Sequence, residues 1–282
     1  MGRESLTPYL LILPATLFLL FLFLTPLVEV VLLSFQGGEG WGLQAYQRMG
    51  RDLYFRDALQ NTLLLTAVIV PLQVALALVM ALLVQGLKWG RDLFLYFWTL
   101  PLGISDLAAG IVWLAIFTER GYLNTFLQAL GLLEAPRLWL SYETPLSLFL
   151  AVVVAEVWRA TALVFVILVA GVQLIPKEYG EAAEVFGATP WRRFLRITLP
   201  LLKPSLQAAL ILRTILAFEV FAVVLALGGR NLPVLAGEAY YWYTAYQNPQ
   251  VAAAYAVLIL LISVLATLAY LRLLRVRPEV GG

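Results

Sequence analysis

Four ionisable side chains inside two long apolar segments are the first candidates for chemistry in this sequence. Glu156 and Arg159 lie three residues apart in one segment, and Arg213 and Glu219 lie six apart in another. A spacing of three puts Glu156 and Arg159 on one face of a helix, where they can pair. Arg213 and Glu219 would lie roughly 120° apart around an ideal helix, so we expect them to have different partners. Because charges in such surroundings are costly and often functional, the four predict a pathway for a polar substrate, with structural ion pairs or contacts with a second subunit as the alternatives.

The absence of two residue types narrows this chemistry. The chain has no Cys and no His, which excludes disulfides and thiolate metal sites and removes the usual proton shuttle. It also has no G-x-x-x-x-G-K-[ST] loop to hold nucleotide phosphates. We therefore predict no catalytic residue, no metal site and no cofactor on this chain, and an intramembrane enzyme is the least favoured class.

The elements that carry these residues are predicted to be membrane-spanning helices. The sequence is 62% hydrophobic and only 13% charged, and its apolar residues form blocks of the roughly 20 residues that a helix needs to cross a bilayer. Alternating strand patterns are lacking, so the predicted fold class is all-α, a polytopic membrane protein in which residues 1–282 form one transmembrane domain. The first block is too long for a signal peptide and is predicted to be a retained span. The six predicted spans lie near residues 9–33, 62–84, 93–117, 145–175, 199–227 and 251–271.

The Lys and Arg residues are distributed unequally between the two sides of these spans. With the N-terminus in the cytoplasm, eleven fall on the inside and six on the outside. The inside residues are Arg3, Lys88, Arg91, Lys177, Arg192, Arg193, Arg196, Lys203, Arg272, Arg275 and Arg277, and the outside residues are Arg48, Arg51, Arg56, Arg120, Arg137 and Arg230. Because Lys and Arg accumulate in cytoplasmic loops, both termini are predicted to be cytoplasmic. Asp106 is then expected near the outer end of the third span.

A charged segment, EYGEAAEVFGATPWRRFLRITLPLLKP, separates the fourth and fifth spans on the predicted cytoplasmic side. Pro176 is a favourable helix start and Gly187 a favourable helix end. Thr189 and Pro190 then resemble the cap and first turn of a second short helix. Residues 176–198 are therefore predicted to form a helix–turn–helix. From the residues alone, it is either an interfacial loop that positions its neighbours or a docking element for a soluble partner.

This segment matches the EAA motif of ATP-binding-cassette (ABC) importer permeases. The motif reads EAA, three residues, Gly, nine residues and then I-x-L-P, and every spacing is intact here. The matching residues are Glu181, Ala182, Ala183, Gly187, Ile197, Leu199 and Pro200. The chain departs from the usual pattern at Phe186, where many members have an acidic residue. Stretches such as TPYLLILPATLFLLFLFLTPLVEVVLLSF and VWRATALVFVILVAGVQLIPKEYGEAAE extend the resemblance over essentially the whole chain. They are most similar to the sugar-importer permeases of the maltose/trehalose type.

The resemblance implies the type I ABC importer permease fold and a transport subunit that is not an enzyme. Such permeases pair with a second, homologous permease and an ATPase dimer, which binds ATP and Mg, and an extracytoplasmic solute-binding protein delivers the sugar. It implies a bacterial or archaeal cell membrane and a carbohydrate substrate, a disaccharide or oligosaccharide. The residues expected to couple to the ATPase are Glu181, Ala182, Ala183, Glu184, Phe186 and Gly187.

Two other transport classes remain open at this point. The same machinery could carry glycerol phosphate or a polyol, because Arg159 and Arg213 would suit a phosphate. An ion-coupled secondary transporter could use the carboxylates of Asp106, Glu156 and Glu219, but it would leave the EAA spacing unexplained.

Overall fold

The computed structural model describes residues 7–37 and 40–274, which form a bundle of helices with one short hairpin. Arg3, Arg275 and Arg277, which entered the prediction of orientation, lie outside the described residues. Strands β1 (Gln36–Gly37) and β2 (Gly40–Trp41) pair antiparallel. The helices in chain order are α1 (Thr7–Leu19), α2 (Thr25–Ser34), α3 (Gln44–Gly50), α4 (Phe55–Gly86), α5 (Arg91–Thr99), α6 (Asp106–Phe117), α7 (Tyr122–Ala129), α8 (Pro145–Gln173), α9 (Lys177–Val185), α10 (Pro190–Arg193), α11 (Leu199–Phe218), α12 (Ala222–Leu227), α13 (Leu235–Thr244) and α14 (Pro249–Leu273).

Five helical runs among the described residues are long and apolar enough to cross a membrane, and a bent pair of helices makes a sixth candidate. Three of the runs are single helices, α4, α8 and α14. The other two contain a π-helical segment: Leu20–Leu24 joins α1 to α2, and Phe194–Thr198 joins α10 to α11. The all-α class predicted from the sequence is confirmed.

The third predicted span, residues 93–117, is not one continuous helix. Helix α5 ends at Thr99, a 3-10 turn covers Leu100–Gly103, and α6 begins at Asp106 after a bend of 101°. Pro101 lacks the N–H that a continuing helix requires, and Ser105 caps α6 by accepting from the Ala108 N–H. Both helices nevertheless pack against α8. The Phe94 ring on α5 contacts the Phe165 ring, and the Trp113 ring on α6 contacts the Trp158 ring.

The fifth predicted span, residues 199–227, also differs from prediction at both ends. Its helical run begins earlier, at Pro190, so the second short helix predicted for the charged segment is the first turns of this span. The π-helical segment accommodates Pro200 without breaking the run, since π turns absorb local irregularities in an α-helix. The run ends at Phe218, and residues 219–221 separate it from α12.

The core forms around α4, α8 and α11, which pack against one another along their length. Gly171 on α8 lets the backbones of α8 and α11 approach closely, because a Cβ there would lie 2.3 Å from the Ser205 Oγ. Small residues at such contacts are typical of helix packing in membranes. The most apolar window of the α1–α2 run is 0% buried within this chain, so the run presents its apolar surface outward.

Candidate functional site

The centre of the bundle holds an ion pair that joins two spans. The Arg213 Nη2 on α11 lies 2.9 Å from the Glu156 Oε2 on α8, and their side chains are only 1% and 0% exposed. Gln73 on α4 completes the cluster, since its amide oxygen accepts from the Arg213 Nε and its Nε2 donates to the Glu156 carbonyl oxygen at 2.8 Å. A buried charge is tolerated when it is paired and hydrogen-bonded in this way. The cluster therefore ties three spans together at one level of the bundle.

Arg159 links this cluster to the break in the third span. Its Nη1 lies 2.8 Å from the Asp106 Oδ1, whereas its Nη2 is 3.5 Å from the Glu156 Oε2. The predicted pairing of Glu156 with Arg159 is thus present, but each residue has a closer partner on another helix. Asp106, in the first turn of α6, is also placed favourably relative to the helix dipole. These contacts, which run from Gln73 through Arg213, Glu156 and Arg159 to Asp106, connect the four helices α4, α11, α8 and α6.

Two buried polar atoms of this network have no hydrogen-bond partner among the described residues: the Glu156 Oε1 and the Arg159 Nε. The Arg159 side chain is 18% exposed and that of Asp106 is 51% exposed. The network is therefore buried at Arg213 and exposed at Asp106. In this conformation, Glu156 and Arg213 do not line an open path as the sequence had suggested, because they neutralise each other inside the bundle.

Glu219 lies apart from the network, as its predicted angular offset from Arg213 indicated. It is exposed in the break after α11 and makes no ion pair or side-chain hydrogen bond within residues 7–37 and 40–274. It lines a groove of about 390 Å³ between α11 and α14, together with Ser263 and Thr267. The Ser263 Oγ is buried and likewise lacks a partner in the described part of the chain. This groove thus offers a carboxylate and a hydroxyl in otherwise apolar surroundings.

Aromatic residues of the last segment predicted to lie outside the membrane lie beside the same break. The rings of Phe221 and Tyr240 are 5.0 Å apart between centroids, and Tyr240 is exposed. Glu219 and Phe221 lie two residues apart in this break, and a carboxylate together with an aromatic ring is a combination that can bind a sugar, which presents hydroxyls at its edges and C–H groups on its faces. Sequence reasoning had identified the two residue types but not the contact between Phe221 and Tyr240.

Arg230 and Glu238 form an ion pair within this segment. Both oxygens of the Glu238 carboxylate accept from the Arg230 guanidinium, which also lies 4.2 Å above the Tyr54 ring centroid and 4.5 Å above that of Tyr241. Burial raises the pKa of the Glu238 carboxyl, and the hydrogen bond from Arg230 opposes that rise. The bidentate pair ties Arg230 to α13, and the contact of Arg230 with the Tyr54 ring brings both to the start of α4.

The other candidate site is helix α9, whose C-terminal end forms a complete Schellman motif. Gly187 has φ +72°, its N–H donates to the Glu184 carbonyl, and the Ala188 N–H donates to the Ala183 carbonyl, both at 2.9 Å. Glycine adopts this left-handed conformation without the steric cost that a Cβ brings. The predicted helix end at Gly187 is confirmed. The predicted cap by Thr189 is confirmed as well, since its Oγ1 accepts from the Arg192 N–H at 3.4 Å.

The expected coupling residues do not all point the same way. Glu181 and Ala182 are exposed and Phe186 is 89% exposed, whereas Ala183 is only 8% exposed and packs toward its own chain. Glu184 pairs with Arg193 on α10, which fixes the angle between α9 and the start of the fifth span. Glu181, Ala182 and Phe186 therefore lie on an exposed face of α9, together with Val185.

Sequence reasoning missed Gln73 and Ser263. Gln73 is the only amide in residues 62–84, and a polar group in an otherwise apolar span is a signal that could have identified it. No comparable signal distinguishes Ser263, because a serine in a membrane helix often bonds its own backbone.

Comparison with known proteins identifies the family of this fold and site. Residues 73–276 match the family model described as binding-protein-dependent transport system inner membrane component. The chain is 31% identical over 291 residues to the sulfoquinovosyl glycerol transport system permease protein SmoG of Agrobacterium fabrum, covering 97% of this chain and 92% of the relative. It is 34% identical over 235 residues to the trehalose/maltose transport system permease protein MalF of Thermococcus litoralis, covering 80% and 78%.

Structural comparison agrees. A chain of a bacterial ABC transporter involved in the import of the acidic polysaccharide alginate superimposes with a TM-score of 0.81 over 97% of this chain and 96% of that chain, at 20% identity. The predicted type I importer permease fold is confirmed.

Proposed function

The chain belongs to the family of binding-protein-dependent transport system inner membrane components, and we propose that it is the permease subunit of an ATP-driven carbohydrate importer. The substrate class is a disaccharide or oligosaccharide, which moves from a solute-binding protein to the cytoplasm. The observation that carries the proposal is α9, a helix with an intact EAA motif, a Schellman end at Gly187 and an exposed face of Glu181, Ala182 and Phe186. The names of the relatives support the carbohydrate class, since they include permeases for trehalose, maltose and arabinooligosaccharides.

The proposed assembly contains a second, homologous permease, two ATPase subunits and the solute-binding protein. ATP and Mg are held by the ATPase chains, and this multi-pass chain holds no cofactor. Both termini and α9 face the cytoplasm, in keeping with the excess of Lys and Arg on that side. ATP-driven closure of the ATPase dimer would move α9 as a rigid body, and the spans would rock between inward- and outward-open states.

The contacts of α9 support its role as a rigid connector. The Glu184–Arg193 pair attaches it to α10, which is continuous with α11. A displacement of α9 therefore acts on α11, whose outer end carries the break at Glu219. In this proposal α11 is the element that links ATP hydrolysis to the substrate pathway.

The four charged pathway candidates have different proposed roles. Glu219 and the open end of the network at Arg159 are accessible enough to meet substrate, while the buried Glu156–Arg213 pair holds the helices that carry them. Because both arginines are already neutralised by carboxylates, the site favours a neutral sugar over a phosphorylated solute such as glycerol phosphate.

The test is ATP-dependent uptake by the assembled transporter in proteoliposomes, after co-purification of this chain with its partners. Glu181→Lys should lower both uptake and the coupling of ATP hydrolysis to uptake, because it reverses the charge on the exposed face. Glu178→Lys is the matched control, since Glu178 is also an exposed glutamate of α9 but lies outside the motif. Normal uptake by the Glu181→Lys variant, or a chain that purifies alone and transports without ATP, would overturn the proposal.

A further inference from the structure

A second groove, which none of the residues of the charged network lines, has no role in the proposed transport cycle. It has a volume of about 450 Å³ and lies between the outer end of α8, the end of α6 and the loop that precedes α8. Its α8 wall includes Leu146, Leu150 and Val154, which are 70%, 49% and 43% exposed. Their spacing of four residues aligns them in one apolar stripe along the helix.

The length of the groove corresponds to one leaflet of a bilayer. From Thr144 to Val154, α8 advances about 15 Å at 1.5 Å per residue, which is half of a hydrocarbon core about 30 Å thick. Beyond the inner end lies Trp158, whose ring packs edge-on against Trp113 at 5.9 Å between centroids. The groove is long enough for an acyl chain of one leaflet, and the apolar surface continues inward from it, because Val154 also lines a groove of about 350 Å³ with Trp158 and Ala162.

One strong donor group at the outer end of the groove is unused. The Arg137 guanidinium lies 4.7 Å above the Trp139 ring centroid and makes no ion pair or side-chain hydrogen bond within the described ranges. The neighbouring hydroxyls are already engaged, because the Ser147 Oγ donates to the Trp139 carbonyl and the Thr144 Oγ1 to the Leu138 carbonyl. The paired N–H donors of a guanidinium match the spacing of two phosphate oxygens, so Arg137 can bind a phosphate through two parallel hydrogen bonds.

We propose that this groove binds one anionic phospholipid, with an acyl chain along Leu146, Leu150 and Val154 and the headgroup phosphate on Arg137. Tyr142, which is 71% exposed, and Trp139 place the end of α8 at the depth where aromatic residues meet the headgroups. Glu134, the acid nearest to Arg137 in sequence, makes no ion pair with it in the described part of the chain, and Glu143 accepts from the Tyr142 hydroxyl. Assignment to the outer leaflet rests on the proposed orientation of the chain, whereas the lipid site itself does not depend on the transported substrate.

The test is native mass spectrometry of the assembled transporter, purified from its own membranes and exchanged into detergent containing phosphatidylglycerol or phosphatidylcholine. The wild type should retain phosphatidylglycerol in preference to phosphatidylcholine. Arg137→Gln should weaken that retention at least about tenfold, as expected for the loss of a charged hydrogen bond. Arg120→Gln is the matched control, because Arg120 is an exposed arginine in the same outer segment that does not line the groove.

A second variant tests the groove separately from the charge. Leu150→Trp keeps Arg137 but fills the space for the acyl chain, so it should also reduce retention. Equal losses in the Arg137→Gln and Arg120→Gln variants would show only general charge attraction and would overturn the proposal. Equal retention of phosphatidylglycerol and phosphatidylcholine by the wild type would also overturn the proposal.

Photo-crosslinking identifies the occupant directly. A benzoylphenylalanine placed at position 150 of the assembled transporter should give an adduct with the mass of a phospholipid. An adduct with another protein subunit would show that a helix covers the groove and would overturn the proposal. ATP-dependent uptake measured on the same variants distinguishes this result from a failure of the proposed transport function.

Discussion

Removing the charge of Glu156 should destabilise the chain more than any comparable change at an exposed carboxylate. The Glu156 side chain is 0% exposed and lies 2.9 Å from the Nη2 of Arg213, whose side chain is 1% exposed. Glu156→Gln keeps the shape of the side chain and leaves Arg213 as a buried cation with only the Gln73 amide oxygen and the new amide as acceptors. Breaking a buried pair from one side costs roughly 3–5 kcal/mol. We expect about 3 kcal/mol for this variant, the lower end of that range, because the glutamine oxygen can still accept a hydrogen bond.

A double-mutant cycle separates the interaction from other effects of the substitutions. Arg213→Met should also cost about 3 kcal/mol, since it leaves Glu156 with only the more distant Arg159 as an ionic partner. The double variant should cost far less than the sum, because replacing both members of a buried pair removes both desolvation penalties. The expected coupling energy is therefore about 3 kcal/mol, well above the 0.3–0.5 kcal/mol within which independent sites add.

The assay is reversible unfolding by SDS in mixed micelles, followed by circular dichroism, for the wild type, both single variants and the double variant. Glu219→Gln is the control, because it makes the same chemical change at an exposed carboxylate. A loss below about 1 kcal/mol for Glu156→Gln would contradict the reasoning. Strict additivity in the double variant would contradict it as well, since the two residues would then not interact.

Three further predictions concern the helix end, the helix contact and the groove. Gly187→Ala should cost about 1–2 kcal/mol locally, because its φ of +72° disfavours a Cβ, and should reduce ATP-coupled uptake; unchanged coupling would show that the Schellman turn is dispensable. Gly171→Ala should destabilise the chain by about 1–3 kcal/mol, because the added Cβ would lie 2.3 Å from the Ser205 Oγ; an unchanged SDS midpoint would refute the close contact. Glu219→Gln should lower uptake without changing stability, and normal uptake kinetics would remove Glu219 from the pathway.

The ends of the helices around the motif were predictable from the sequence because they depend on short-range hydrogen bonds. The Schellman end at Gly187 requires donors and acceptors within five residues of each other, and the cap at Thr189 requires one within three. Those requirements leave a signature in consecutive residues. The same holds for the apolar spans, whose length is set by the thickness of the bilayer.

The continuity of the spans was less predictable. Pro101 interrupts the third span, whereas Pro200 lies in an unbroken run that starts at Pro190. The difference arises because a π-helical segment precedes Pro200 and absorbs the missing hydrogen bond, while the chain after Pro101 is recapped by Ser105. Two prolines in apolar surroundings therefore had different consequences that their local sequence did not distinguish.

The sequence by itself determined the membrane class of this protein, the motif of α9 and the identities of its embedded charges. Only the tertiary structure decided which charges meet: Arg213 pairs with Glu156 at a separation of 57 residues and with Gln73 at a separation of 140. It also decided that Ala183 faces inward while Ala182 faces out. The physical reason is that contacts between helices depend on how the helices pack and on their rotation about their own axes. The residues close to each partner in sequence do not specify either.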